Sequence, residues 1–456
     1  MPTDLPFDIS RLLKSGARKY NVPGASFALW HQGNLHVATH GVLNLNTGHK
    51  VQPQTMFQIG SITKPVTATL VMKLVEEGLI ELDATVRTYI PEFRVADLDA
   101  SKSITIKQLL DHSSGLGGDF FTNTGSGPDR HARYVERCAL LPLCHPVGAG
   151  LSYSNSAFTI VGRVCEVVTR KTYDEALKHY LFGPMDLHHA LSDPADIAAL
   201  PVSSGHAPDP ENPAKQKPLP TVFGLPISGA PAGSTPMMSI IDLVNFTRMH
   251  MDGGKAPNGK KILKQATVKS MRKIHNKVPI GLRDITHWGL GWFLVLGGKY
   301  FGHDGATIGQ SSYLRAHEKS GTIAALLTNG GSATDLMIDL FDKTIDRLTG
   351  VAATPPLKPS KAKPETLDPY LGVYSTVAGD ATIYMQDGQL MAKRFLRFDD
   401  TLIPEPPCPL EYAGDNIFLL TRPPSKTPAV WHFSQPDPAG RFQVLFTGLR
   451  ILNRSD

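Results

Sequence analysis

Ser61 and Lys64 stand three positions apart in Ser61-Ile62-Thr63-Lys64. On a helix, residues i and i+3 project from one face with Cβ atoms about 5–6 Å apart, so the amine can reach the hydroxyl. A serine hydroxyl is a weak nucleophile until a neighbour accepts its proton. Lysine accepts it only where desolvation or nearby positive charge lowers its pKa toward neutrality. Two more Ser-x-x-Lys tetrads occur, Ser270…Lys273 and Ser360…Lys363. The first lies in a basic, surface-like stretch and the second in a proline-rich spacer. Ser61 alone opens a long helix with an apolar face. Tyr153-Ser154-Asn155 follows Gly148-Ala149-Gly150 and precedes a helical run. A tyrosine can share proton transfer with such a pair, and an asparagine can orient the lysine and a substrate carbonyl. His303-Asp304-Gly305 is placed at the entrance to an expected strand, where the histidine can bond a substrate or the tyrosine. Taken alone, His303 reads as a satisfied histidine of a surface loop.

These groups need a scaffold. Val66, Leu70, Leu74 and Val75 share one face of an expected helix over 61–77, which Gly78 ends. Proline is tolerated only in a helix's first turn, so Pro65 fixes the start near Gly60–Thr63. That puts Ser61 at the end where free N–H groups converge. Helical spacing is also expected over 5–20, 157–169 and 334–348. Ala25–Trp30 and Leu35–Ala38 read as a hairpin, and strands are expected at Gly291–Val295, Ser311–Ala316 and Thr322–Thr328. The last is a continuous apolar run, as in a buried central strand. The proline-rich segment 201–236 reads as long surface loops. Residues 350–366 hold four prolines and read as a spacer. Beyond it, Ala381–Gln386 and Gln389–Ala392 flank Asp387-Gly388 as a hairpin, and Phe442, Val444 and Phe446 alternate. The division expected is therefore 1–350, a linker over 351–366, and a small all-β domain over 367–456.

The bulk composition narrows the function. With 456 residues the chain is too long for one core. A net charge of only +5, spread along the chain, gives no nucleic-acid stripe. No run of about 18 apolar residues exists, so no spanning helix is expected. The N-terminus, Met-Pro-Thr-Asp-Leu-Pro-Phe-Asp, does not read as a signal peptide, and a cytoplasmic location is expected. Cys138, Cys144, Cys165 and Cys408 form no metal spacing, and His188-His189 lacks companions, so neither metal nor cofactor is expected. Asn245 and Asn453 match the short glycosylation pattern by chance.

Together the motifs resemble the β-lactamase-related serine hydrolases: class C β-lactamases, D-alanyl-D-alanine carboxypeptidases, D-aminopeptidases and related esterases. The resemblance runs through Phe57–Pro65, Glu76–Asp83, Leu109–Leu116, Tyr153–Asn155, Ala232–Ser234, His287–Trp292 and Gly302–Gly305, in the family's order. It implies an α/β (α+β) fold with an antiparallel sheet flanked by helices and a mainly helical subdomain. By resemblance, Ser61 is acylated, Lys64 and Tyr153 share general-base work, and Asn155 positions Lys64 and the substrate. The N–H groups of Ser61 and Ala306 form the oxyanion hole, and Asp304 and Gly305 belong to the substrate-binding strand. Where β-lactamases usually carry Lys-Thr-Gly, this chain has His303-Asp304-Gly305. A histidine is a weaker, pH-dependent cation, which argues against efficient penicillin hydrolysis and leaves esters and peptides open. The tail from Leu367 resembles the lipocalin-like barrel appended to some of these hydrolases.

The leading expectation is a serine hydrolase that cleaves an amide or ester of a small molecule or peptide. Acyl transfer through the same acyl-enzyme and a non-catalytic, penicillin-binding-like scaffold are the alternatives. No nucleic-acid or membrane partner is expected, and homo-oligomerisation is left open.

Overall fold

The computed structural model describes residues 5–282, 284–362, 364–398, 401–422 and 425–456. Residues 1–4, part of the segment weighed as a leader, and Lys363 of the third tetrad lie outside them.

The central sheet has eight antiparallel strands: β1 (Gly24–His31), β2 (Asn34–Gly41), β3 (Asn276–Leu282), β4 (Ile285–Trp288), β5 (Phe293–Val295), β6 (Tyr300–Thr307), β7 (Gln310–His317) and β8 (Thr322–Thr328). Their order is β2-β1-β8-β7-β6-β5-β4-β3, so both ends of the chain segment supply strands. β8 is buried at every position between β1 and β7, as its unbroken apolar run predicts. α1 (Ile9–Lys19) and α5 (Ala333–Thr349) cover one face. The other face packs on a helical layer that includes α2 (Thr63–Glu76), α3 (Asn155–Thr169) and α4 (Ile240–Met251).

α2 departs from the single apolar face expected of it. It is buried from Thr63 to Met72 on all sides. Two of its threonines tolerate this because their hydroxyls are paired: Thr67 donates to Pro231 O at 2.7 Å, and Thr69 meets Pro65 O at 2.7 Å and His250 Nε2 at 2.9 Å.

The chain then forms a closed eight-stranded antiparallel barrel, from β9 (Gly372–Thr376) and β10 (Gly379–Gln386) through β11 (Gln389–Phe398), with β12 (Thr401–Pro404) as a spur on β11. It continues through β13 (Cys408–Gly414), β14 (Ile417–Leu420), β15 (Ala429–Pro436), β16 (Phe442–Thr447) and β17 (Arg450–Arg454). The β10–β11 hairpin turns on Asp387 and Gly388, whose φ values of 50° and 74° suit a two-residue turn of the favoured hand.

Three expectations are corrected. Segment 201–236 is not all surface loop: residues 206–208 and 216–218 pair as a small hairpin, and 227–232 form a 3-10 turn whose residues Ser228, Ala230, Pro231 and Ala232 are buried. Proline content hid this, because a 3-10 turn tolerates proline where a longer helix does not. His303 lies inside β6 and is 3% exposed, so it is neither at a strand entrance nor on a surface loop. In β16, Phe442 and Leu445 fill the barrel, whereas Phe446 turns outward into the core beneath the central sheet. Phe446 can be apolar on the barrel's outer face because the larger domain covers it there.

Candidate active site

Ser61 sits in a 3-10 turn, Gly60–Ile62, that runs without a break into α2. Gly60 holds φ at 50°, and a β-carbon on it would lie 2.6 Å from the Ala306 amide nitrogen. Only glycine lets the Ser61 turn and β6 approach so closely. The backbone amide of Ala306 is thereby brought beside Ser61.

Lys64, one turn along, is wholly buried. Its Nζ lies 3.1 Å from Ser61 Oγ, 2.5 Å from Asn155 Oδ1 and 2.8 Å from Ala232 O. Burial pushes its pKa well below the usual lysine range, and Arg450 pushes it further, against an opposing pull from Asp119. A neutral amine has two N–H bonds and one lone pair. Asn155 Oδ1 and Ala232 O can accept the two protons, so the lone pair is left to face the Ser61 hydroxyl.

Tyr153 and Asn155 flank Ser154, which caps α3 by accepting from the Ala157 N–H at 3.1 Å. The cap turns the chain so that both neighbours enter the same cavity. Asn155 Nδ2 donates to Asp119, which fixes the amide with its oxygen toward Lys64. The Tyr153 ring lies 4.6 Å from Lys64 Nζ. Its hydroxyl is buried without a partner in hydrogen-bond geometry among the described residues. Burial raises the phenol's pKa well above its ordinary value, although Ser61 and Arg450 both pull it down. Tyr153 is therefore a protonated phenol at neutral pH.

His303 donates from Nδ1 to Asp304 O at 2.6 Å, which leaves Nε2 as a buried lone pair. Burial lowers its pKa to about 3, with Lys64 and Arg315 adding to the effect. It is thus a neutral acceptor, not the pH-dependent cation expected from its place in the motif. Asp304 lines the cavity too, but Arg315 holds its carboxylate from two nitrogens at 2.5 and 3.1 Å. Gly305 packs so tightly that a β-carbon would lie 2.0 Å from Ile59 O.

Ser61, Tyr153, Asn155, His303, Gly305 and Ala306 all border one cavity of about 450 Å³. Among the described residues of the other two tetrads, Ser270, Lys273 and Ser360 do not line that cavity. Four contributors were not singled out in the sequence. Ala232 acts only through its carbonyl. Asp119 lies in a loop without periodicity. His112 accepts from the Ser154 N–H at 3.1 Å and stacks on Tyr153 at 4.5 Å between ring centres. Arg450 comes from the barrel, pairs with Asp119, and lies 4.9 Å from the Tyr153 ring. His112 and Ala232 had a signal, since they fall inside the Leu109–Leu116 and Ala232–Ser234 stretches of the resemblance. Among the described residues no group of three or more His, Cys, Asp or Glu side chains is gathered as a metal site, and no helix is long and apolar enough to cross a membrane.

A serine and a buried lysine at the start of a helix behind an antiparallel sheet, with a phenol and a carboxamide beside them, make a β-lactamase-type fold. Residues 9–344 match the Beta-lactamase family, and the chain belongs to it. Penicillin-binding protein 4 of Amycolatopsis lactamdurans is 39% identical over 372 residues, covering 79% of this chain and 95% of that protein. The crystal structure of SurE superposes with a TM-score of 0.78 at 26% identity, over 98% of each chain, so both domains are shared. The D-amino acid amidase of Ochrobactrum anthropi SV3, complexed with L-phenylalanine amide, matches 74% of this chain and 97% of its own, with a TM-score of 0.60 at 21% identity. That last likeness is one of fold.

Proposed function

We propose that this chain is a serine hydrolase that forms an acyl-enzyme on Ser61 and cleaves an amide or ester. The observation that carries this reading is the Lys64 amine, buried and held by two acceptor oxygens with its third contact on Ser61 Oγ. Lys64 takes the hydroxyl proton as Oγ attacks the carbonyl carbon. The Ser61 and Ala306 N–H groups hold the oxyanion. As the tetrahedral adduct collapses, Tyr153 gives its proton to the leaving nitrogen or oxygen and recovers one from Lys64. Water then attacks the ester, with Lys64 again as base, and releases the acid. Asn155 holds Lys64 in register, and the His303 Nε2 lone pair accepts from the Tyr153 phenol or a substrate N–H. Asp304 and Gly305 border the bound substrate. The amidase fold relative, and a SurE structure solved with D-Leu, support an amino-acid-like group on one side of the bond. The octameric penicillin-binding protein homologue of Pyrococcus abyssi shares the fold at a TM-score of 0.64 and makes assembly into homo-oligomers worth measuring.

The test is a panel of short-chain esters, D- and L-amino-acid amides and a chromogenic cephalosporin, run on wild type and Ser61→Ala together. Turnover that is lost in Ser61→Ala supports the reading, and undiminished turnover rejects it. Added amine or alcohol acceptors in the same assays separate hydrolysis from acyl transfer by product analysis.

A further inference from the structure

Between the barrel and the central sheet lies a second, larger cavity of about 970 Å³. One wall is a stripe of α5, Met337, Phe341 and Ile345, set four residues apart with Ile338 beside it. The facing wall is the outside of the barrel. Strand β14 reads Ile417-Phe418-Leu419-Leu420. Phe418 and Leu420 fill the barrel interior, while Ile417 and Leu419 line the cleft with Val430 of β15. A barrel strand in contact with water would carry polar residues at the outward positions. Here both faces are apolar, and Leu419 is only 1% exposed.

The cleft adjoins the catalytic cavity. Ile285, Asp304, Thr334 and Met337 border both spaces. Polar groups deep in the cleft are engaged, Arg315 with Asp304 and the Tyr300 hydroxyl with Thr349 Oγ1 at 2.6 Å, while Asp342, Asp346, Glu411 and Lys426 also line it. Walls of this kind select apolar surface. From Thr334 to Ile345 the helix rises about 16 Å at 1.5 Å per residue, which sets the reach of a chain lying along it.

We propose that this cleft is the acyl channel of the Ser61 site, and that the preferred substrates carry an extended apolar acyl group. The acyl carbonyl sits at Ser61, and the body of the group passes Met337 and lies between α5 and β14. The inference rests on the acyl-enzyme reading above. A fatty acyl chain and an apolar peptidyl chain share this chemistry, and the two arms of the experiment distinguish them.

The experiment measures kcat/KM for p-nitrophenyl esters from acetyl to decanoyl, kept below their micellar concentrations, and for an activated ester of an N-acetylated apolar tetrapeptide. Wild type is expected to prefer one long substrate over the acetyl ester by at least about tenfold, since each buried methylene contributes about 0.8 kcal/mol. The arm that shows the preference names the source. Ile338→Trp and Ile417→Trp fill the cleft and are expected to cut the long-to-short ratio by at least about fivefold. A flat profile in both arms overturns the proposal, as does a ratio unchanged in both folded variants. If neither variant folds, inhibition of the acetyl-ester reaction decides: decanoate is expected to bind wild type at least about tenfold more tightly than acetate, and equal inhibition overturns the channel. Turnover that persists in Ser61→Ala defeats the acyl-enzyme reading instead, so the two failures are separate.

Discussion

A lysine enclosed as Lys64 is cannot keep its charge cheaply, because moving an ammonium ion out of water costs several kcal/mol even after relaxation. Burial therefore favours the neutral amine, which is also what a base for Ser61 requires. Ser61→Ala is expected to lower kcat by roughly three orders of magnitude or more with an unchanged melting curve, read by ester turnover and circular dichroism. Activity is expected to need deprotonated Lys64. It should fall as pH drops through that depressed pKa and hold steady above it. His303, already neutral above about pH 3, does not supply the acid limb, so His303→Gln is expected to lower kcat/KM without moving that limb; a shift in the limb would reassign it. The Ser61–Lys64 spacing and the helix start at Pro65 could be read in the sequence because they are local. The third contact of the amine could not, because Ala232 contributes only a backbone carbonyl, and any side chain at that position offers the same atom.

At the scale of elements, the site is a meeting of ends: the start of α2, the cap of α3 and the middle of β6. Tyr153 and Asn155 are aimed by the Ser154 cap, and the cap is held by His112. That residue takes φ of 62°, accepts from the Ser154 N–H through Nδ1, and takes the Ser152 N–H on its carbonyl at 3.1 Å. His112→Ala leaves a buried N–H unpaired, at a cost of about 1–3 kcal/mol, and is expected to slow turnover by about 10- to 100-fold through misplacement of Tyr153. His112→Asn restores an acceptor at the same reach and tolerates the left-handed backbone, so it is expected to recover much of the rate; steady-state kinetics and thermal melts on the pair check this. The helices, the hairpin β1–β2 and the strand β8 followed from periodicity. β6 did not, because Gly302, Gly305 and the charged Asp304 break the apolar alternation that marks a strand, and the glycines are there to let β6 touch the Ser61 turn.

Across the whole molecule, the barrel reaches the Ser61 cavity. Leu449 O accepts from the Tyr153 N–H at 2.7 Å, and Arg450 clasps Asp119, which in turn holds Asn155 and so Lys64. Removing the guanidinium leaves Asp119 uncompensated beside Lys64. Arg450 lowers the lysine's pKa and Asp119 raises it, so Arg450→Met is expected to move the acid limb of kcat/KM to higher pH and to lower the plateau. An unmoved limb with normal rates would confine Arg450 to holding the domains together. The all-β domain was legible from its Asp387-Gly388 turn and short strands, and its barrel form from the resemblance of the tail. Its hold on the site was not, because 331 residues separate Arg450 from Asp119 and nothing local at either position announces the other.

The covalent step on Ser61 admits the most direct measurement. Rapid quenching of the reaction with a slowly deacylating ester, followed by intact-mass measurement and peptide mapping, should find one acyl group per chain on the peptide that holds Ser61, and none in Ser61→Ala. Turnover of that ester with no adduct, or with the acyl group on another residue, would contradict it.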